Sequence, residues 1–361
     1  MVRANLLLDY VTMLFARLDC PYDDANTVAR VLVEADLRGI ASQGVSRVMD
    51  FYYLTVAGRA KVHPNVQVVY QSPSTATMDA DSSLGPVVAK RAMELAMEKA
   101  RTAGTGWVAV RDSHHFGMGA YYAMMALEAD MVGIVMSNAP PIVAPVYGSS
   151  RMLGANPMAM AVPTHRHPPL VIDFTTSVLS EEGLEVVPSS SAHVPQGVLQ
   201  DAVGNPSTDL GTLDRGGALL PLGGDLAHGS HKGFCLGAMV DMFASLFGGA
   251  CFGPFVPPQV AYRPVRPAPM GDGLGHFFGA IRADAFRPIK EFKAWSDAWI
   301  DTFRNAKGIG GTPGIIIPGD KERSTREARL KNGIPLTPRT LQRLASVAQQ
   351  LECEPLPYQP D

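Results

Sequence analysis

The stretch from Gly106 to Ser137 constrains the fold more than any other. GWVAVR at 106–111 reads as a strand, rich in apolar and β-branched residues. The polar loop DSHHFG (112–117) follows it, then a helix from about Gly119 to Ala129 and a second strand over 132–137. Strands and helices must therefore share one core. The turn between strand and helix is not a dinucleotide fingerprint: Gly117 and Gly119 are followed by Tyr122 where G-x-G-x-x-G needs its third glycine. No G-x-x-x-x-G-K-[ST] occurs in the chain, so the P-loop is absent as well.

On the N-terminal side, Ala25, Val28, Val31, Leu32 and Ala35 recur at helical spacing over 24–38. Asp23 or Asp24 can cap that helix, and Gly39 stops it. A helix is expected over 46–57 and a strand over 66–70. Pro86 opens a further helix as its first residue, and Gly104 ends it. Strands are expected at 158–162 and 170–174, and a polar, loop-rich segment at 181–215. Helices are expected at 232–246, 291–304, 320–330 and 338–351. Helices thus dominate both chain ends, with strands in the middle, and no internal repeat is visible.

Composition narrows the partners. The 361 residues carry a net charge of -3 and only 18% charged side chains, with no long basic run, so nucleic acid is not the expected partner. The low charge points to a buried subunit face. The apolar run in Met1–Tyr10 is too short for a signal-peptide core. Gly233–Val256 is the one stretch that mimics a membrane span, but Asp241, its glycines and Pro254 favour a buried helix and a loop. Cys20, Cys235, Cys251 and Cys353 form no C-x-x-C pair and read as reduced thiols of a cytoplasmic protein.

Five constellations carry chemistry. Ser113-His114-His115-Phe116-Gly117 lies before a helix start, where free N–H groups and partial positive charge favour a neutral histidine near an anionic substrate. Arg38–Arg47 (RGIASQGVSR) is a helix end, a glycine-bounded turn and a new helix, and Arg47 there has either a carboxylate or an ordinary ion pair to meet. Ser137-Asn138 and Gly154-Ala155-Asn156-Pro157 border stiff proline-bearing loops suited to holding a ligand. Asp173, Thr175, Thr176 and Ser177 cluster a carboxylate with hydroxyls suited to ribose or phosphate, or to a capped turn. His231-Lys232-Gly233 opens an apolar helix, with the lysine placed for a phosphate. Asp225, His228 and His231 have metal-ligand chemistry, although a polar loop accounts for them better.

Together these segments resemble the malate/L-lactate dehydrogenase family that is unrelated to the Rossmann enzymes, which includes sulfolactate and ureidoglycolate dehydrogenases and a cyclic imino acid reductase. The resemblance rests on RGIASQGVSR (38–47), SHHFG (113–117), SNAPPIVAP (137–145), LGANP (153–157), DFTTS (173–177), GGALLPLGG (216–224), SHKG (230–233), GLGHFFGAIRADAF (273–286) and IPGD (317–320). It implies an α/β fold with a non-Rossmann NAD(P)-binding domain. A mostly antiparallel central sheet (71–229) would be accompanied by a helical domain built from both chain ends (1–70 and 230–361). It implies a homodimer that transfers hydride between NAD or NADP and a small 2-oxo/2-hydroxy acid or cyclic imino acid, without a metal. By position it makes His115 the acid/base and Arg47 the carboxylate clamp, with Gln43 and Ser42 assisting. It puts the dinucleotide on Asn138, Asn156, Asp173, Thr175, Thr176, Ser177 and Lys232, with Pro318, Gly319 and Asp320 contributing.

The sequence departs from that pattern at four places. The usual Ser-His-Gly is Ser42-Gln43-Gly44, and glutamine cannot supply a proton near pH 7. The usual Gly-Lys after the aspartate is Glu182-Gly183, which disfavours a 2′-phosphate and so favours NAD. Ala155 and Ala120 replace a threonine and a glycine of the pattern. Besides redox chemistry, these changes leave open a proton transfer, elimination or cyclisation on a related substrate, or a non-catalytic binding role.

Overall fold

The computed structural model describes residues 1–179 and 193–357. Its centre is a seven-stranded sheet in the order β1-β2-β3-β10-β4-β5-β6. The strands are β1 (Gln67–Gln71), β2 (Thr75–Ser83), β3 (Thr105–Ser113), β4 (Met131–Ser137), β5 (Met158–Val162), β6 (Leu170–Phe174) and β10 (Leu274–Arg282). Only β2 and β3 pair in parallel, joined by a crossover helix, and every other pair is antiparallel. The resemblance is upheld here: the sheet is mostly antiparallel. Short strands β7 (Leu199–Gln200), β8 (Pro206–Ser207) and β9 (Ala218–Leu219) form a second, small sheet.

The crossover helix α4 (Gly85–Ala103) has Pro86 in its first turn and Gly104 as its left-handed cap, both as the sequence predicts. It buries Val88, Ala92, Met93, Ala96 and Ala100. Small side chains let it lie close to β3: a Cβ on Gly106 would stand 1.9 Å from the carbonyl oxygen of Ala96. The helix α5 (Gly119–Met125), continued by a 3-10 turn over Ala126–Ala129, joins α4 in the same apolar core.

Both chain ends build the helical part. Helices α1 (Ala4–Arg17), α2 (Tyr22–Leu37) and α3 (Val48–Val56) share one core with the C-terminal α9 (Pro338–Gln350) through Leu7, Phe15, Leu32, Phe51, Leu344 and Val347. Each such fully buried side chain contributes about 1.5–3 kcal/mol. Val2 and Ile334 exchange backbone hydrogen bonds of 2.9 and 2.7 Å, closing the two ends on each other. Helix α8 (Asp320–Asn332) leans on α2 through the Arg326–Glu34 ion pair at 2.7 Å.

Three expectations change. The helix over 24–38 starts at Tyr22 behind Pro21, and neither Asp23 nor Asp24 caps it with a side-chain bond; Asp24 pairs instead with Arg91 at 3.0 Å. The helix expected over 46–57 begins as a 3-10 turn at Val45–Arg47. The span 230–361 is not wholly helical. Helix α6 (Ser230–Ser245) packs Val240 and Phe243 against Ala109, Met136 and Phe277 of the sheet, and β10 is the sheet's central strand. Helix α7 (Ile289–Arg304) follows it. Among the described residues no helix is long and apolar enough to cross a membrane.

Candidate active site

The cleft opens where three segments leave regular structure. The 3-10 turns at 41–47 connect α2 to α3, the loop 113–118 connects β3 to α5, and the loop after Ser137 leaves β4. A recess of about 170 Å³ lies between them, lined by Ser42, Gln43, His115, Phe116, Asn138, Asp173, Thr175 and Leu274 among others. A second recess of about 290 Å³, lined by Arg38, Val171, Pro318, Gly319 and Glu322, adjoins it and shares Ile40, Met118, Asp173 and Phe174.

The two adjacent histidines differ in role. His114 is buried, and its Nε2–H donates to the Arg59 carbonyl at 2.7 Å, which ties the loop to the helical part. His115 lines the recess, and its Nδ1 accepts from the Gly117 N–H at 3.2 Å. The neutral ring therefore carries its proton on Nε2, on the side away from the loop. Burial, the Arg47 guanidinium and His276 together lower its pKa to about 3. His115 is thus a neutral imidazole at physiological pH.

Gln43 stands beside it in the recess wall, and its amide oxygen is buried without a hydrogen-bond partner among the described residues. Its turn is held from behind by Asp36, whose Oδ2 accepts the Val45 N–H at 2.7 Å. Burial pushes the Asp36 carboxyl up to about 7, against the lowering by that bond and by Arg329. Gly44 is required there, because a Cβ would lie 2.3 Å from the Asp36 carboxyl. Arg47 is buried and is not part of the recess wall. Its Nε donates to the Ser42 carbonyl at 2.8 Å and its Nη1 meets Asp50 at 3.1 Å, while Arg343 holds the other Asp50 oxygen at 3.2 Å. Among the described residues no lysine or arginine lines the recess itself, and Arg47 is the cation whose field reaches His115.

The expected dinucleotide residues divide into three groups. Asp173, Thr175 and Asn138 line the first recess, and Gly319 with Pro318 lines the second. Asp173 reaches solvent at the cleft mouth, yet close packing pushes its carboxyl up to about 6; the Ala120 N–H on Oδ2 at 2.8 Å opposes this and Glu322 adds to it. Asn138 uses its amide on Cys251 and Gly275 at 2.7 and 3.0 Å. Asn156 uses both ends of its amide on the Ala139 N–H and the Gly237 carbonyl, so it fastens the loop to α6. Thr176 and Ser177 are buried and bond to nearby carbonyls. Asp320 is taken by Arg304 and Arg323, and Lys232 is exposed on the first turn of α6, outside both recesses. Glu182 and Gly183 lie outside the described residues. Among the described residues no cluster of three or more metal-ligating side chains occurs, and Asp225 pairs with His228 at 2.6 Å.

The donor set fits a dinucleotide. The free Oδ1 side of Asp173 and the Thr175 hydroxyl suit a ribose, while Phe116, Phe174 and Leu274 offer apolar surface for a planar ring. His276 is the residue that the sequence did not single out. It is fully buried on β10, bonded through both ring nitrogens, and its ring stacks on Phe116 at 4.6 Å. Its only signal was a polar residue in the apolar run LGHFFGAI.

Comparison with known proteins shows the family. The family model described as malate/L-lactate dehydrogenase matches residues 2–345. The chain is 37% identical to the malate dehydrogenase of Pyrococcus horikoshii, covering 98% of this chain and 96% of that one. The solved structure of that enzyme superposes with a TM-score of 0.89 at 35% identity, over 98% of this chain and 96% of that one. The malate/(S)-sulfolactate dehydrogenase of Methanothermus fervidus is 34% identical over 92% of each chain. The non-Rossmann sheet, the paired recesses and this full-length similarity make the chain a member of the malate/L-lactate dehydrogenase family.

Proposed function

We propose that the protein transfers hydride between a nicotinamide dinucleotide and a small 2-oxo/2-hydroxy acid, with His115 moving the proton at the C2 oxygen. The observation that carries this reading is the His115 geometry. Its Nδ1 is fixed by the Gly117 N–H, and its Nε2 has no protein hydrogen-bond partner among the described residues. The dinucleotide supplies the hydride when bound, and the side chains supply position and charge. Asp173 and Thr175 would hold it in the first recess, with Gly319 contributing in the second.

Arg47 attracts the substrate carboxylate from behind the Ser42 carbonyl. Gln43 and Ser42 meet the substrate directly, with hydrogen bonds rather than a proton. A bound carboxylate favours the charged form of His115 and so lets it act as an acid in the reducing direction. NAD is favoured over NADP, because Asp173 and Glu322 border the second recess and would oppose a 2′-phosphate, while Arg38 on the same recess is paired with Glu34. The cofactor preference is read from initial rates with NADH and NADPH.

A homodimer is proposed from the outer face of α7, where Trp295, Trp299 and Phe303 are exposed together. Light scattering at low concentration tests it. The free thiols, including exposed Cys235, support a cytoplasmic setting. The reading as a whole is tested by NADH oxidation over a panel of 2-oxo acids. A folded protein that binds NADH and turns over none of them would overturn it.

A further inference from the structure

We propose that His276 is a positioning residue that fixes the loop bearing His115 against the loop leaving β4, and so sets the geometry of proton transfer. This rests on the reading of His115 given above. Strand β10 lies between β3 and β4, and His276 sits opposite Val110 on one side and Ser137 on the other. At this level β4 ends with Ser137, while β3 runs on to Ser113 opposite Leu274; the loops that follow form opposite walls of the cleft. The His276 ring spans the gap. Its Nε2 lies 2.8 Å from the Ser113 hydroxyl and 3.2 Å from the His114 carbonyl. A carbonyl only accepts, so Nε2 carries the proton. Nδ1 then accepts from the Ser137 hydroxyl at 2.8 Å.

Strand pairing needs none of this, since backbone groups make the ladder on both sides. An apolar side chain would fill the same volume without the desolvation of an imidazole. What the histidine adds is a bond to the last strand residue before each loop, Ser113 and Ser137. The single Ser137 proton is shared between Nδ1 and the Asn138 carbonyl oxygen, also 2.8 Å away, which carries the constraint into the recess wall. On the other side, the ring lies parallel to Phe116, with 10° between planes. Phe116 follows His115 directly, so the stack fixes the backbone on which the acid/base group is mounted.

The segment 41–47, with Gln43 and Arg47, makes none of these bonds. Loss of the His276 bonds should therefore lower turnover while leaving the carboxylate affinity in place. A displacement of about 1 Å at a reacting group costs about 10²-fold in rate. The test is steady-state kinetics on His276→Phe, which keeps an aromatic ring and removes both bonds, and on His276→Gln, which keeps a donor and an acceptor. Hydrogen exchange is followed in both loops. In His276→Phe, kcat is expected to fall about 10- to 100-fold with KM for the oxo acid nearly unchanged. His276→Gln should recover a large part of that loss, and Ser137→Ala should add little in the His276→Phe background.

An unchanged kcat in folded His276→Phe overturns the proposal. So does a loss shared by kcat and KM without recovery in His276→Gln, which marks a merely structural role. If His276→Phe fails to fold, Ser113→Ala and Ser137→Ala decide the matter, and unchanged kcat in both overturns it. Full turnover in His115→Gln would instead defeat the reading of His115. The exchange data still report whether His276 fixes the loops: faster exchange in both supports that part, and unchanged exchange refutes it.

Discussion

The sharpest consequence of the site concerns pH. His115 has a pKa lowered to about 3, so at pH 7 only about one molecule in 10⁴ carries the imidazolium. Placing a proton there costs about 5 kcal/mol at pH 7. A substrate carboxylate about 4 Å away returns about 4 kcal/mol at an effective dielectric of about 20. Binding therefore makes protonation nearly neutral in energy, and catalysis in the reducing direction takes up a proton from solvent. Because the free enzyme stays deprotonated throughout the accessible range, kcat/KM for reduction of a 2-oxo acid should fall about tenfold per pH unit, or about 100-fold from pH 6 to pH 8. In the oxidising direction the base is already neutral, and kcat/KM should be flat over the same interval. Initial rates followed through NADH absorbance in both directions measure this. Since Arg47 contributes to the lowering, after burial, Arg47→Gln should raise the pKa and so lift kcat/KM for reduction relative to oxidation. A wild-type plateau below about pH 6.5 in the reducing direction would refute the argument, because it would mean an unperturbed histidine.

Other expectations follow from the same contacts. The Asp36 carboxyl is raised to about 7 in the folded protein, so its contribution is fully present below about pH 4 and is lost as pH rises through 7. Asp36→Asn should remove about 3 kcal/mol of that pH dependence between pH 5 and pH 9, measured by urea unfolding at the two values. Gly44→Ala drives a methyl group to 2.3 Å from the same carboxyl and should destabilise by about 1–3 kcal/mol, seen as a lower Tm. Asn156→Ala leaves the Ala139 N–H unpaired and removes the second bond to the Gly237 carbonyl, and should cost about 1–3 kcal/mol in urea unfolding. Gln43→His should change kcat less than about tenfold if His115 alone moves the proton, whereas His115→Gln should lower it by about 10²-fold or more.

Much of the architecture was legible. Strands β5 and β6 stand where the sequence puts them, because short apolar runs bounded by proline and polar turns have few alternatives. Helix α4 is equally clear from Pro86 at one end and Gly104 at the other. Helix α1 is not among the helices the sequence predicts, because a short apolar run at a chain start has the composition of a leader core as well as of a helix face. Strand β10 was hidden by the glycines before it, and its place between β3 and β4 is a long-range choice that periodicity does not encode. In the site, His115 is readable as a residue type beside a helix start, and Asp173 as a carboxylate clustered with hydroxyls. Asn156 and Asp320 were not, because an amide or carboxylate that binds a ligand and one that fastens a loop look alike until partners are known. Arg47 shows the same ambiguity: its ion pair with Asp50, three positions away, was a local alternative from the start.

The position of β10 also sets an order of assembly. Ser113 and His276 touch across a separation of 163 positions. While the chain is being synthesised, β3 and β4 emerge long before the strand that belongs between them. Their facing edges then stand open, a gap one strand wide, and α6 has only part of its floor. Open edges of this kind invite pairing with other chains. The cleft cannot exist until the ribosome has passed Arg282, and the final insertion of β10 completes the sheet and joins both active-site walls in one event. Late closure of so distant a contact is slow. A nascent chain of this protein is therefore most vulnerable just before its site is made.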